Sequence, residues 1–183
     1  RQMCIRDRVE YYKWKFKATW FSPFTEKLIL ATKTEFGFLG AYNQELGISP
    51  FERFYVGGDG LSGMGYMNDG RELVALRGYS NNSLSPQTGA TIYNKYTAEI
   101  RYALSLNPTS TMYALAFLEA GNAWEEFDNF NPFGVKRSVG IGVKIMLPMI
   151  GMMGLDYGWG LDEVIGNPEA NGGQFHFSIG QNF

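Results

Sequence analysis

The sequence predicts an all-β chain, folded as an antiparallel transmembrane β-barrel. Three observations predict it. Seven segments alternate apolar and polar side chains with a period of two, as a strand between two different environments requires. No stretch approaches the roughly 20 consecutive apolar residues of a spanning helix. The connections alternate between short and long, the asymmetry of a membrane barrel's turns and loops.

A hydrophobic content of 45% would also suit a soluble domain, so the distribution of apolar residues carries the assignment. The 23 Gly, 14 Phe, 11 Tyr and 4 Trp suit strands, tight turns and aromatic belts, and disfavour long helices. With 16 Lys plus Arg against 18 Asp plus Glu there is no basic field to attract a phosphate backbone, so no nucleic-acid partner is expected. Cys4 is the single cysteine and His176 the single histidine; neither an internal disulfide nor a His/Cys metal site is expected, and no cofactor is implied. Residues 1–8 (RQMCIRDR) have neither periodicity nor the apolar core of a signal peptide. They are read as a non-native scar, and the missing export signal as the mark of a fragment.

The first strand, residues 9–21, sets Tyr12, Trp14, Phe16, Ala18 and Trp20 against Lys13, Lys15, Lys17 and Thr19. A soluble sheet with one wet face would alternate in the same way; repetition favours the membrane. After a turn at Ser22-Pro23, residues 27–41 set Leu28, Leu30, Phe36 and Phe38 against Lys27, Lys33, Glu35 and Gly37. Residues 90–106 turn Ile92, Tyr96, Ala98, Ile100, Tyr102 and Leu104 outward, opposite Lys95, Thr97, Glu99 and Arg101. Asn107-Pro108 makes a short turn into 111–122, where Leu115 and Phe117 share a side with Glu119, a side read as packed against a plug.

Residues 137–147 set Val139, Ile141, Val143, Ile145 and Leu147 against Ser138, Gly140, Gly142 and Lys144. Residues 152–161 set Met153, Leu155, Tyr157, Trp159 and Leu161 against Gly154, Asp156, Gly158 and Gly160. The last strand, 173–183, sets Phe175, Phe177, Ile179 and Phe183 against Gln174, His176, Ser178 and Asn182. Short connections fall at 22–26, 107–110 and 148–151, long ones at 42–89, 123–136 and 162–172. Single-chain bacterial barrels have even strand numbers from about 8 upward, so further strands are expected upstream.

The connection 42–89 is far longer than a hairpin needs, and long ordered loops tend to carry function. It holds Pro50-Phe51-Glu52-Arg53-Phe54-Tyr55-Val56-Gly57-Gly58 and Leu76-Arg77-Gly78-Tyr79, and the chain ends in Gln174-Phe175-His176-Phe177-Ser178-Ile179-Gly180-Gln181-Asn182-Phe183. In this order the segments resemble the Phe-Tyr-x-Gly-Gly and Val-Arg-Gly-Phe/Tyr motifs and the terminal β-signal of the BamA, TamA and two-partner-secretion transporter superfamily. The likeness extends over residues 9–183.

The resemblance implies the C-terminal seven strands of a barrel of roughly sixteen, with periplasmic domains before it, in the bacterial outer membrane. It implies that loop 42–89 folds into the lumen, where Arg77, Gly78 and Tyr79 form a latch against Glu119 and Glu99; Arg71 is placed in the exposed part of the loop. Glu119 stands where the family motif has Asp, one methylene shorter. It also implies a terminal β-signal and seam at Gly173, Phe175, Phe177, Ile179, Gly180 and Phe183. Gly172, Gly173 and Gly180 weaken pairing there. The function implied is insertion of unfolded outer-membrane protein clients, with accessory lipoproteins and outer-membrane lipid as further partners. A secretion pore of the same superfamily and a passive porin are the alternatives. No enzymatic activity is expected: His176 reads as a lumen-facing polar residue, without a nucleophile-elbow or paired-acid motif around it. Met149, Met152 and Met153 read as apolar packing at the membrane interface.

Overall fold

The computed structural model describes residues 10–42, 47–60, 71–107, 110–148, 151–164 and 166–179. The readings of residues 1–8, Met149, Gly180 and Phe183 lie outside them. Seven strands form one antiparallel sheet: β1 (Tyr11–Pro23), β2 (Leu28–Ala41), β5 (Ile92–Asn107), β6 (Ser110–Trp124), β7 (Lys136–Leu147), β8 (Gly151–Gly160) and β9 (Gly173–Ile179). Neighbours in sequence are neighbours in space, in the order β1-β2-β5-β6-β7-β8-β9, and β1 and β9 are the two edges. No helix among the described residues is long and apolar enough to cross a membrane.

Residues opposite one another in a sheet share a face, so the register fixes two surfaces. On one, Ile100, Ala116, Ile141, Tyr157 and Phe175 form a continuous row from β5 to β9. Trp14, Phe16 and Trp20 of β1 lie more than half exposed on the same outer face. On the other, Arg101, Leu115, Gly142, Asp156 and His176 form the neighbouring row, and Glu99, Phe117, Gly140, Gly158 and Gln174 the next. Charged residues stay buried on this inner face because something lies against it.

That something is the connection between β2 and β5. It contains a 3-10 turn (Pro50–Glu52) and two short strands, β3 (Phe54–Val56) and β4 (Glu72–Val74), paired in parallel. The alternation of the sequence does not announce this pair, because three residues are too few to show a period. Phe54, Val56 and Leu76 of the loop pack with Leu39 and Tyr93 of the wall into one buried cluster, each such side chain stabilising by about 1.5–3 kcal/mol. On the β1 side, Lys13 Nζ reaches Glu72 at 2.8 Å and Glu52 at 3.3 Å, and lies 4.9 Å from the Phe54 ring centre.

Four expectations are corrected. β1 runs through Pro23, and the turn falls at Phe24–Lys27, where Phe24 N–H donates to Leu28 O at 2.9 Å. Within this sheet β1 is an edge strand, a place where proline is admitted. β6 extends to Trp124. Ile92, expected on the exposed outer face, is fully buried, because the β6–β7 loop folds over it. Arg71, expected in an exposed part of the loop, is half-buried with its guanidinium 5.2 Å from the Tyr55 ring centre.

Candidate functional site: a lumenal arginine latch

The two motif segments of the loop meet each other before they meet the wall. β3 and β4 bring them side by side, and Gly58 and Leu76 then exchange backbone bonds: Gly58 N–H to Leu76 O at 3.1 Å, and Leu76 N–H to Gly58 O at 3.0 Å. Residue 77 is thereby delivered to the inner face of the sheet.

There the Arg77 side chain, 6% exposed, enters a cage of three carboxylates from three strands. Nη2 donates to Glu99 Oε1 of β5 at 2.6 Å and to Glu119 Oε1 of β6 at 2.8 Å, Nε to Glu119 Oε1 at 3.2 Å, and Nη1 to Asp156 Oδ2 of β8 at 3.1 Å. The Arg77 backbone N–H adds a bond to Glu119 Oε2 at 2.8 Å. The guanidinium carbon stands 3.6 Å from the centre of the Phe117 ring, a cation–π contact strengthened by desolvation. Only a planar fork reaches three acids and a ring at once.

The acids are shared with the wall. Glu99 Oε2 accepts from Arg101 Nε and Nη2 at 2.9 and 2.6 Å, and Glu119 Oε1 pairs with Lys95 Nζ at 3.1 Å. Burial by itself would lower the basicity of Arg77. The carboxylates of Glu119, Glu99 and Asp156 outweigh it and raise its pKa further above the ordinary arginine value. The arginine therefore stays charged at any pH the protein meets.

The next two residues seat the backbone. Gly78 has φ 87°, and a Cβ there would stand 2.7 Å from the carbonyl carbon of Trp159, so the position takes only glycine. Its N–H donates to His176 Nε2 at 2.7 Å. The Nδ1 tautomer of a neutral imidazole is thus the one that fits. Tyr79, fully buried, donates its hydroxyl to Arg137 O at 2.6 Å, and Ser80 N–H donates to Ala170 O at 2.8 Å.

Of the residues singled out from sequence, the structure brings together Arg77, Gly78, Tyr79, Glu99 and Glu119 in one site. Gly173, Phe175, Phe177 and Ile179 lie apart from it along β9, with the side chains of Phe175, Phe177 and Ile179 on the exposed apolar face. His176 faces inward and accepts the Gly78 bond. Sequence reasoning missed Asp156, Phe117 and Lys95. Asp156 did leave a signal, as the only acid among the inward positions of β8 and β9. Among the described residues no group of three His, Cys, Asp or Glu is arranged to hold a metal. The bonds made in the site position a loop against the wall.

A family model for the Omp85 superfamily domain matches residues 3–183. The outer membrane protein assembly factor BamA of Neisseria meningitidis serogroup B (strain ATCC BAA-335 / MC58) is 30% identical over 95 residues, 52% of this chain and 10% of that protein. The crystal structure of BamA from Haemophilus ducreyi lacking POTRA domains 1-3 superposes with a TM-score of 0.64 at 18% identity, covering 92% of this chain and 34% of that one. The chain thus spans a tenth of the curated relative and about a third of the solved one, and the structural likeness concerns the barrel fold.

Proposed function

This chain belongs to the Omp85 superfamily of outer-membrane barrels, and we propose that it forms part of the wall of a barrel that folds and inserts β-barrel proteins into that membrane. The observation that carries this reading over a passive pore is the loop between β2 and β5. It is held against the inner face by Arg77 and its three carboxylates, so this part of the lumen is occupied by protein.

The work of insertion falls on an edge. Unpaired N–H and C=O groups in lipid are costly, and a strand with one free edge can template an incoming strand by backbone bonding. Among the described residues β9 pairs with β8, from Met153–Ile179 to Trp159–Gly173, and its other side is the edge proposed to receive the client. In the proposed mechanism the latch fixes the loop and with it β5, β6 and β8, while β9 exchanges partners with a client strand. No covalent step is involved. Unfolded outer-membrane proteins are the proposed clients, with accessory lipoproteins delivering or timing them.

Reconstitution of the full-length protein in lipid vesicles tests the proposal. The insertase reading expects protease-protected client barrels and little steady conductance. Steady ohmic conductance without client insertion would establish the porin reading, and passage of a soluble passenger into the vesicle a secretion pore.

A further inference from the structure

The connection between β6 and β7, residues 125–135, runs down the outer face of the wall. Register places Phe38, Ile92 and Trp124 in one row at the loop end of that face, and Phe36, Asn94 and Asn122 in the row below. Both rows continue the apolar surface that carries Ala98, Leu118, Val139 and Trp159 further on. Yet Ile92 and Asn94 are 0% exposed, and the loop is what covers them.

Phe127 stacks on Phe38 with ring centres 6.0 Å apart, and Phe130 packs edge-on against Trp124 at 5.0 Å. Asn94 Nδ2 donates to Pro132 O at 2.9 Å and Asn122 Nδ2 to Gly134 O at 2.7 Å, while Asn122 N–H donates to Asn94 Oδ1 at 3.1 Å. A carboxamide facing lipid is costly unless its hydrogen bonds are made. Here the loop carbonyls make them, and the carbonyls are satisfied in return. Asn131 closes the tip, its Oδ1 accepting Phe133 N–H at 3.1 Å and its carbonyl accepting Gly134 N–H at 3.0 Å. Pro132 presets the turn. The side chain this turn presents, Phe133, is 89% exposed, more than any other large apolar side chain among the described residues.

We propose that residues 125–135 form a lipid anchor: Asn94 and Asn122 clamp the loop to the outer wall, and Phe133 enters the acyl chains of the external leaflet. The occupant is lipid because the patch is continuous with the lipid-facing surface of the barrel and lies at the end of the strands from which the long loops emerge. The charged side chains of the same loop, Glu125, Glu126 and Asp128, are all exposed and remain at the aqueous side.

The test uses full-length protein in phospholipid vesicles, in a background without other cysteines, with an environment-sensitive fluorophore on either Phe133→Cys or Asp128→Cys. Phospholipids with a nitroxide on the acyl chain should quench the label at 133 several-fold more strongly than the label at 128, and aqueous iodide should show the reverse order. Equal iodide quenching at both positions would overturn the proposal. So would protection of position 133 from both quenchers, which would mark a protein occupant. The clamp is tested by Asn94→Leu with Asn122→Leu, or by Asn122→Ala alone where the double variant does not fold. In a variant that keeps its heat-modifiable mobility, the 133 label should lose acyl quenching and gain iodide quenching; unchanged quenching there would overturn the clamp.

Discussion

Glu119 binds both the main chain and the side chain of Arg77: Oε2 accepts the Arg77 backbone N–H at 2.8 Å, and Oε1 accepts Nη2 at 2.8 Å and Nε at 3.2 Å. One carboxylate thus fixes where the loop lies and which residue occupies that place. A glutamine keeps the shape and one acceptor but not the charge. In the full-length protein Glu119→Gln should destabilise the barrel by about 1–3 kcal/mol, the cost of a buried donor left without its partner. Glu119→Ala should cost about 3–5 kcal/mol, because Arg77 and Lys95 then share too little compensating charge. Urea titration of the heat-modifiable band measures both; two neutral variants would remove Glu119 from the latch.

Replacing Arg77 itself should order its variants by geometry. Arg77→Lys retains the charge but cannot reach Glu99, Glu119 and Asp156 together, so it should recover only part of the stability. Arg77→Glu places a fourth carboxylate among three and should be the most damaging. Lys15, about half exposed and paired with Glu72, is the suitable comparison, since Lys15→Gln should change stability by no more than about 1 kcal/mol. Arg71 is a poor control, because its guanidinium lies against Tyr55.

Gly158 is a floor for the loop. A Cβ there would stand 2.8 Å from Gly78 N and 3.1 Å from Gly78 Cα. Gly158→Ala should therefore lift the loop from the wall, at a cost of about 1–3 kcal/mol, and speed trypsin cleavage within the loop. At Gly134 the nearest atom to an added Cβ is 3.4 Å away, so Gly134→Ala should leave cleavage unchanged. Equal cleavage rates for the two variants would contradict the close approach.

His176 acts as an acceptor in this arrangement. His176→Gln can still accept the Gly78 N–H and should be mild, whereas His176→Leu leaves that buried N–H alone and should cost about 1–3 kcal/mol. The difference in urea midpoint between the two variants reads this bond directly. A leucine variant as stable as the glutamine variant would show that the bond contributes nothing.

The face assignment was legible because it is local. Lys95, Thr97, Glu99 and Arg101 repeat at every second residue of β5, and Leu115 and Phe117 beside Glu119 signal a covered inner face. What could not be read depends on where the long connections fold. Asp156 gains its meaning from a residue 79 positions away, and nothing near it in sequence reports that distance. Asn94 and Asn122 look like breaks in the outward apolar pattern until the β6–β7 loop is seen to bond them. Arg71 lies six residues before Arg77 in sequence, yet loop chemistry alone did not say that it would lie against an aromatic ring.

Addition of a client strand to the edge of β9, as proposed, can be read by cross-linking. Phe177→Cys in the full-length protein, in a background without other cysteines, would be paired with single cysteines along the first strand of a client arrested during insertion, the strand that runs antiparallel to β9. Disulfides should form in one antiparallel register, shift by two residues when the cysteine moves from 177 to 175, and be reduced by Arg77→Glu. Cross-links that are absent at both positions, or that form without register at either, would contradict it.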